Sequence, residues 1–267
     1  MRRVKFSQGD PMCRFLAYQG APILLEDMIS APSHSLIAQS LHALEAHTTT
    51  NGDGFGVGWF GERATPGLYR EVHPAWSDDN LRALCAQVRS GLFFAHVRAS
   101  TGTATSRDNC HPFAVGRYMF MHNGQIGGWQ TLRRRVEAMI PDGLYPARRG
   151  TTDSEAILLA AMANGLEDDP PGAIGRTLAR VWRLMRDDGV TTPLRFTAAL
   201  TDGQNLWAFR WASDDRPATL YWRQDAGGVV VVSEPFDQGG GGWQAVLAGQ
   251  YVRVVKGART IVAPFFV

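Results

Sequence analysis

The chain has 267 residues, of which 27 are basic and 25 acidic, so its formal net charge is only +2. A charge this close to zero gives no general attraction to nucleic acid or to a membrane surface, and we expect neither as a partner. No apolar stretch approaches the roughly 18 residues of a membrane span, and three cysteines are too few for a disulfide framework, which predicts a reducing, cytoplasmic setting.

The first twelve residues are a short segment that we interpret as an N-terminal extension or propeptide. Residues 1–6 are basic and lack the apolar core of a signal peptide. Three interpretations of this segment remain open: a mis-assigned start, a propeptide removed in maturation, or an extension that is retained. Residues 13–267 have the length, and the chain has the 45% hydrophobic content, of one large domain.

Cys13 directly follows Met12, at the start of a strand predicted over 13–19. If the chain began at Cys13, this residue would carry both a thiol, with a pKa of about 8.5, and an α-amine, with a pKa of about 8. An N-terminal amine can activate its own nucleophile, so such a cysteine needs no histidine partner. Cys13 is therefore the candidate nucleophile.

The spacing of the apolar residues predicts a mixture of helices and strands. Helices are expected over 33–47 (starting at residue 33 or 35), 78–89, 129–140, 153–164 and 174–186. Strands are expected over 54–60, 92–97, 117–122, 196–201, 206–211, 219–223, 229–233 and 251–256. Helices that lie between two sets of strands predict a layered sandwich, in which strand ends from two packed sheets meet at one cleft.

Polar residues follow two of these strands and begin one of these helices: Arg98, Asn123 with Gly124, and Asp153. They match the groups of a γ-glutamyl compound, which presents an α-carboxylate, an α-ammonium and a γ-carbonyl. Arg98 can hold the carboxylate through a bidentate ion pair, and Asp153 can accept the ammonium. The Asn123 amide and the Gly124 N–H can stabilise the oxyanion that forms when a thiolate attacks the γ-carbonyl.

Each of these clusters also has an ordinary structural interpretation. Arg98 would then be a surface arginine, Asn123-Gly124 a type I′ hairpin turn, and Asp153 the cap of a helix. A turn and a cap are compatible with function as well, since both expose backbone N–H groups. The occurrence of all the clusters in one chain favours the functional interpretation.

Other polar residues are assigned smaller roles. Thr101 can add a hydroxyl hydrogen bond to the bound carboxylate, and the histidines show no metal-ligand spacing, so we expect no metal and no cofactor. His96 and His122 are expected to support neighbouring backbone by hydrogen bonds. Arg148 and Arg149 are expected on the surface.

Taken together, these residues resemble the class II glutamine amidotransferases, which have the N-terminal nucleophile hydrolase fold. The resemblance extends to segments 51–59, 109–113 and 233–235. Within the family the chain is most similar to two stand-alone branches: the amidotransferase-like subunit of the fungal glutathione-degradation complex and the γ-glutamyl amidohydrolase of ergothioneine biosynthesis. Segments 32–37, 74–76 and 109–113 favour the first branch.

The resemblance implies an α+β fold, a four-layer αββα sandwich with two packed, mostly antiparallel sheets. It implies an amidohydrolase that cleaves the γ-amide of glutamine or of a γ-glutamyl compound through a thioester. The implied site consists of the nucleophile Cys13, the oxyanion donors Asn123 and Gly124, and the substrate-binding residues Arg98, Thr101, His111 and Asp153.

The partners follow from the length of the chain, which leaves no residues for a synthase domain. Either a separate synthase or peptidase-like subunit works with this chain, or the γ-glutamyl bond of a small molecule is itself the target. Two other functions remain open at this point. If the extension is retained, Cys13 has no free α-amine and the chain would be a catalytically silent γ-glutamyl-binding subunit. If a histidine lies beside the Cys13 thiol, the chain would be an ordinary thiol peptidase.

Overall fold

The computed structural model describes residues 13–45, 50–99, 104–237, 241–257 and 259–267. Its strands are β1 (Arg14–Leu24), β2 (Phe55–Trp59), β3 (Gly67–Glu71), β4 (Arg89–Val97), β5 (Phe113–Val115), β6 (Tyr118–Gln125), β7 (Arg195–Thr201), β8 (Asn205–Ala212), β9 (Tyr221–Gln224), β10 (Gly228–Val232), β11 (Gln244–Ala245), β12 (Gln250–Val255) and β13 (Ile261–Pro264). Its α-helices are α1 (Glu26–Ile29), α2 (Leu36–Leu41), α3 (Asp79–Gln87), α4 (Trp129–Glu137), α5 (Asp153–Met162) and α6 (Pro170–Asp187).

The strands form two antiparallel sheets. The seven-stranded sheet has the order β11-β9-β10-β1-β4-β2-β3, and the six-stranded sheet has the order β13-β12-β8-β7-β6-β5. In the first sheet β1 lies between β10 and β4, and Arg14 pairs with Val97. The start of β1 and the end of β4 therefore lie at the same edge of the sheet.

Side-chain alternation along the strands shows how the layers pack. In β1, Phe15 contributes to the core between the two sheets, whereas Leu16 contributes to the core under α1, α2 and α3. In β6, Met119 and Met121 face the core between the sheets, and Phe120 faces α4, α5 and α6. These three cores confirm the predicted αββα sandwich, because each sheet buries one face against helices and the other against its partner sheet.

The same alternation places Cys13 and Asn123 on sheet faces that lie opposite each other. Successive side chains of a strand point to opposite faces, so Cys13 lies on the same side as Phe15, and Asn123 on the same side as Met121. Cys13 directly precedes β1 and Asn123 lies two residues before the end of β6, so both are expected to face the layer between the sheets.

The helix predicted over 33–47 is shorter in the structure. Its N-cap is Ser35, whose Oγ accepts the N–H of Ala38, and α2 ends at Leu41. The backbone N–H groups of Leu44 and Glu45 donate to the carboxylate of Glu234 instead of to helical carbonyls. The chain therefore leaves the helical path at residue 42.

Two structural interpretations of the polar clusters are wrong in detail. Asn123 and Gly124 form no hairpin turn, because they lie inside β6 and pair with Thr197 and Phe196 of β7. The cap of α5 is Thr152, and Asp153 is the first residue of the helix.

The prediction that Arg148 lies on the surface is wrong. Its side chain is 4% exposed and forms ion pairs with Glu137 and Glu155. The two carboxylates compensate the guanidinium, which allows it to be buried. Across the described ranges, no helix combines the length and the apolar character that crossing a membrane requires.

Candidate active site

Cys13 stands at the edge where β1 begins and β4 ends. Its Sγ lies 3.4 Å from the backbone N and 3.5 Å from the backbone O of Ala99, two residues beyond β4. Burial raises the pKa of the Cys13 thiol, although the Ala99 N–H and the Arg98 guanidinium act in the opposite direction. A thiol with a raised pKa is protonated at neutral pH, so it needs a base to become a nucleophile.

Arg98 is buried beside Cys13, immediately after β4. Its backbone N–H donates to Gly54 O at 2.8 Å, and its guanidinium donates to Asp53 O at 3.3 Å and Ala104 O at 3.4 Å. These contacts orient the guanidinium at the strand end, where the sequence analysis expected a carboxylate-binding group.

Asn123 contacts the nucleophilic residue directly, since its Nδ2 donates to the carbonyl oxygen of Cys13 at 2.8 Å. A carboxamide has two N–H donors, so this contact fixes the amide and uses one of them. A Cβ at Gly124 would lie 2.0 Å from Arg195 O and 2.5 Å from His122 Nε2. Only glycine allows β6 and β7 to approach this closely beside the site.

Asp153 connects the start of α5 to the end of β6. Its Oδ2 accepts the N–H of Ile126 at 2.8 Å, and its Oδ1 accepts the N–H of Ser154 at 2.7 Å. A cavity of about 280 Å³ borders Asp153 and is lined further by Gln125, Trp129 and Thr192. The carboxylate is therefore held in place at the wall of a cavity that lies beside β6.

His111 is buried and packs against a second histidine. Its ring centroid lies 4.2 Å from that of His96, and neither of its ring nitrogens has a hydrogen-bond partner among the described residues. Burial lowers the pKa of His96 to about 3 and that of His111 well below its usual value. Both rings are thus neutral at physiological pH, and the substrate-binding role of His111 stays a prediction.

His122 joins three elements around the site. Its Nδ1 is 2.9 Å from Ser154 Oγ in α5, and its Nε2 is 3.1 Å from Arg195 O in β7. These contacts are of the supporting kind that the sequence predicted for His122. Thr101, the remaining predicted substrate-binding residue, lies outside the described residues, as does the extension 1–12.

The structure thus brings Cys13, Arg98 and Asn123 into one cluster and places Asp153 next to the end of the Asn123 strand. Among the residues that the structure describes, Cys13 Sγ has hydrogen bonds only to Ala99, and no histidine is poised against it. This geometry does not support the thiol-peptidase interpretation, which requires such a histidine.

Two residues of this region, Arg14 and Glu234, had no role predicted from the sequence, although segment 233–235 contributed to the family resemblance. Arg14 donates from Nη1 to the same Cys13 carbonyl oxygen at 3.0 Å, and from Nε to Glu234 at 3.2 Å. A charged residue inside the apolar strand 14–18 is the signal that was available, because a buried arginine requires a buried partner.

Comparisons with known proteins point to one family. The profile of the family described as glutamine amidotransferases class-II matches residues 24–225. The match begins after Cys13 and includes Arg98, Asn123 and Asp153.

Two curated relatives cover nearly the whole chain. The probable glutamine amidotransferase DUG3 of Saccharomyces cerevisiae is 30% identical over 92% of this chain and 82% of the yeast protein. The gamma-glutamyl-hercynylcysteine sulfoxide hydrolase of Mycobacterium tuberculosis is 29% identical over 94% of this chain and 97% of its own length.

Solved structures show the same fold. A glutamine aminotransferase class-II domain protein from Silicibacter pomeroyi is 39% identical, with a TM-score of 0.77, and the match covers 96% of this chain and 100% of that one. The glutamine phosphoribosylpyrophosphate amidotransferase from B. subtilis is 13% identical with a TM-score of 0.63, and this likeness concerns the fold alone.

Proposed function

Because the chain belongs to the class II glutamine amidotransferases, we propose that it cleaves the γ-amide of glutamine or of a small γ-glutamyl compound through a Cys13 thioester. The products are glutamate and ammonia or a larger amine. The observation that carries the proposal is the contact between Asn123 Nδ2 and the Cys13 carbonyl. It holds an oxyanion donor beside the thiol, at the strand end where Arg98 is also fixed.

The reaction has two steps. The Cys13 thiol gives its proton to the α-amine, the resulting thiolate forms a C–S bond with the γ-carbonyl carbon, and the Asn123 amide with the Gly124 N–H stabilises the oxyanion. The C–N bond breaks as the leaving amine takes a proton from the Cys13 α-ammonium. Water then attacks the thioester and gives its proton to the α-amine, and glutamate leaves as the thiol is restored.

The raised pKa of the Cys13 thiol supports the role of the α-amine. A protonated thiol next to a free amine with an ordinary pKa of about 8 has its base within the same residue. The described residues offer Cys13 Sγ no other hydrogen-bonding base. Residues 1–12 therefore have to be absent from the active form in this proposal, as a propeptide or through a later start, and 13–267 act as a single domain.

The relatives bear on the substrate class. One is named for hydrolysis of a γ-glutamyl-hercynylcysteine sulfoxide, the other as a probable glutamine amidotransferase. We propose a small γ-glutamyl molecule as the substrate, with a separate synthase or peptidase-like subunit as the acceptor if the leaving group is ammonia. We also propose a cytoplasmic location, which the three unpaired cysteines support.

The intact mass of the protein purified from its own host tests this proposal, together with glutamate release from glutamine and from glutathione-like γ-glutamyl compounds. We expect a mass that begins at Cys13 and glutamate release from at least one of these substrates. A mass that retains residues 1–12, with no glutamate release, would instead support the silent γ-glutamyl-binding subunit.

Arg98 is expected to act mainly in substrate binding. In Arg98→Ala the α-carboxylate loses a charged hydrogen-bonding partner worth about 1.5–3 kcal/mol, so KM should rise roughly 10- to 100-fold. Arg98→Lys keeps the charge but loses the bidentate fork, and its KM should lie between those of Arg98→Ala and the parent. Steady-state kinetics with the preferred substrate measure both effects, and an unchanged KM in Arg98→Ala would refute the assignment.

A further inference from the structure

The nucleophile is attached to a buried pair of charges that the mechanism above does not use. Arg14 is fully buried, and Glu234 is 2% exposed. Arg14 Nε donates to Glu234 Oε2 at 3.2 Å, while Arg14 Nη1 donates to the Cys13 carbonyl oxygen at 3.0 Å. The guanidinium thus bridges the carboxylate and the main chain of the nucleophile.

Glu234 is held from several directions. Its Oε1 lies 2.5 Å from His34 Nε2 and accepts the N–H of Leu44 at 2.9 Å, and its Oε2 also accepts the N–H of Glu45 at 3.0 Å. Burial works to raise the pKa of Glu234, but Arg14 and these hydrogen bonds outweigh it, so the carboxylate is ionised at neutral pH. Glu234 is therefore a fixed negative charge that orients Arg14.

The backbone on either side of this pair is fixed too. Ser233 N donates to Phe15 O at 3.0 Å, and Phe15 N donates to Ser233 Oγ at 3.1 Å. Gln39 Nε2 of α2 donates to Glu234 O at 3.2 Å. Arg14 and Glu234 consequently approach each other from segments that have little freedom to move.

The Cys13 carbonyl oxygen is shared by two side chains. It accepts from Arg14 Nη1 and from Asn123 Nδ2, the proposed oxyanion donor. Because both contacts are made to this one oxygen, Arg14 helps to fix the Cys13 main chain, and with it the distance between Cys13 and the Asn123 amide.

The donors of the Arg14 guanidinium are divided between two partners. Nε reaches the carboxylate of Glu234, which compensates the positive charge, and Nη1 reaches the Cys13 carbonyl oxygen. The second contact goes beyond charge compensation, because it joins the guanidinium to the main chain of the nucleophile.

We propose that Arg14 and Glu234 are positioning residues, which hold the Cys13 main chain and, through the shared carbonyl oxygen, the Asn123 amide in the arrangement that acyl transfer requires. This deepens, and rests on, the proposed function. The proposed function assigns neither residue a contact with the substrate, so the loss of the pair should lower kcat and leave KM nearly unchanged.

The test separates positioning from stability by removing the charges singly and together. Arg14→Met leaves the Glu234 charge buried and should lower Tm. Arg14→Met/Glu234→Gln removes both charges, so no carboxylate is left buried without a cation. We expect the double variant to regain part of the Tm lost in Arg14→Met while kcat stays about 10²-fold below the parent and KM stays within about threefold.

Two further variants complete the comparison. Arg14→Lys keeps a positive donor beside Glu234 and should recover part of the lost kcat. Leu178→Ala creates a cavity at a fully buried position in the core under α4, α5 and α6, whereas the residues next to Cys13 belong to the core between the sheets. It should lower Tm without changing kcat, and it supplies a stability-matched reference if the double variant stays less stable.

The alkylation rate of Cys13 by iodoacetamide, followed by peptide mass in the full-length chain, gives a readout that does not depend on turnover. Without its anchor Cys13 should be more accessible and react about tenfold faster, whereas Leu178→Ala should match the parent. If the unmutated protein showed no hydrolysis that depends on Cys13, the proposed function would be refuted. The alkylation rates would still decide whether Arg14 and Glu234 position Cys13. Unchanged alkylation, or a kcat that recovers together with Tm in the double variant, would overturn the present proposal.

Discussion

Cys13→Ala is expected to abolish glutamate release, lowering kcat by roughly 10⁴-fold or more, as removal of a catalytic nucleophile does in acyl-transfer enzymes. The physical reason is that no thioester can form without Sγ, and water alone is a poor nucleophile toward an amide. The loss of one sulfur from a half-buried position at the start of β1 should leave the fold unchanged. Glutamate release by the form that begins at residue 13 and thermal unfolding of both proteins measure the two effects.

Cys85→Ala is the matched control for this experiment. Cys85 is a free, fully buried thiol in the core under α3, and burial raises its pKa to about 12, so it is inert as a nucleophile. Its replacement should lower Tm slightly and leave kcat unchanged. Substantial glutamate release by Cys13→Ala would show that the thioester mechanism is wrong.

Most of the fold could be predicted from periodicity, because its main elements bury one face against a core. The predicted strand 92–97 is close to the observed bounds of β4, because successive residues such as Phe93 and Phe94 fill cores on opposite sides of the sheet. The edge strands β3, β5, β11 and β13 were missed. They contain only two to five residues, which is too few for a period to be clear.

The end of α2 could not be predicted from local sequence, for a physical reason. Leu41 and Leu44 have helical spacing with Ile37, yet each is 49% exposed. The N–H of Leu44 is bound by Glu234, which is 190 positions away in the chain. A helix boundary that depends on a distant carboxylate has no signal in the residues around it.

In the candidate site, too, some features could be proposed from the sequence and others could not. The residue types of the site, a thiol, a guanidinium, an amide and a carboxylate, could be recognised because the chemistry of a γ-glutamyl amide requires them. The buried pairs around it could not: Arg148 looked like a surface residue, and Arg14 was passed over. Both arginines are buried only because carboxylates from other elements compensate them.

The second large effect is expected for Asn123→Ala. Removal of one oxyanion donor lowers kcat by roughly 10²- to 10³-fold, because the negative charge on the γ-carbonyl oxygen then loses a preorganised N–H. KM should change little, since the substrate α-groups are held by Arg98 and Asp153 in our proposal. Steady-state kinetics on the form that begins at Cys13 test this prediction.

The same variant distinguishes stabilisation of the oxyanion from positioning of the nucleophile. Asn123 Nδ2 also donates to the Cys13 carbonyl, but Arg14 remains on that oxygen when the amide is removed. The alkylation rate of Cys13 should therefore stay within about threefold of the parent while kcat falls. Asn164→Ala is the matched control, because among the described residues its side-chain amide bonds Ala160 O and Thr177 Oγ1, between α5 and α6, and its loss should affect stability alone. If Cys13 alkylation changed as much as kcat in Asn123→Ala, the amide would act by holding the nucleophile, and the oxyanion assignment would be wrong.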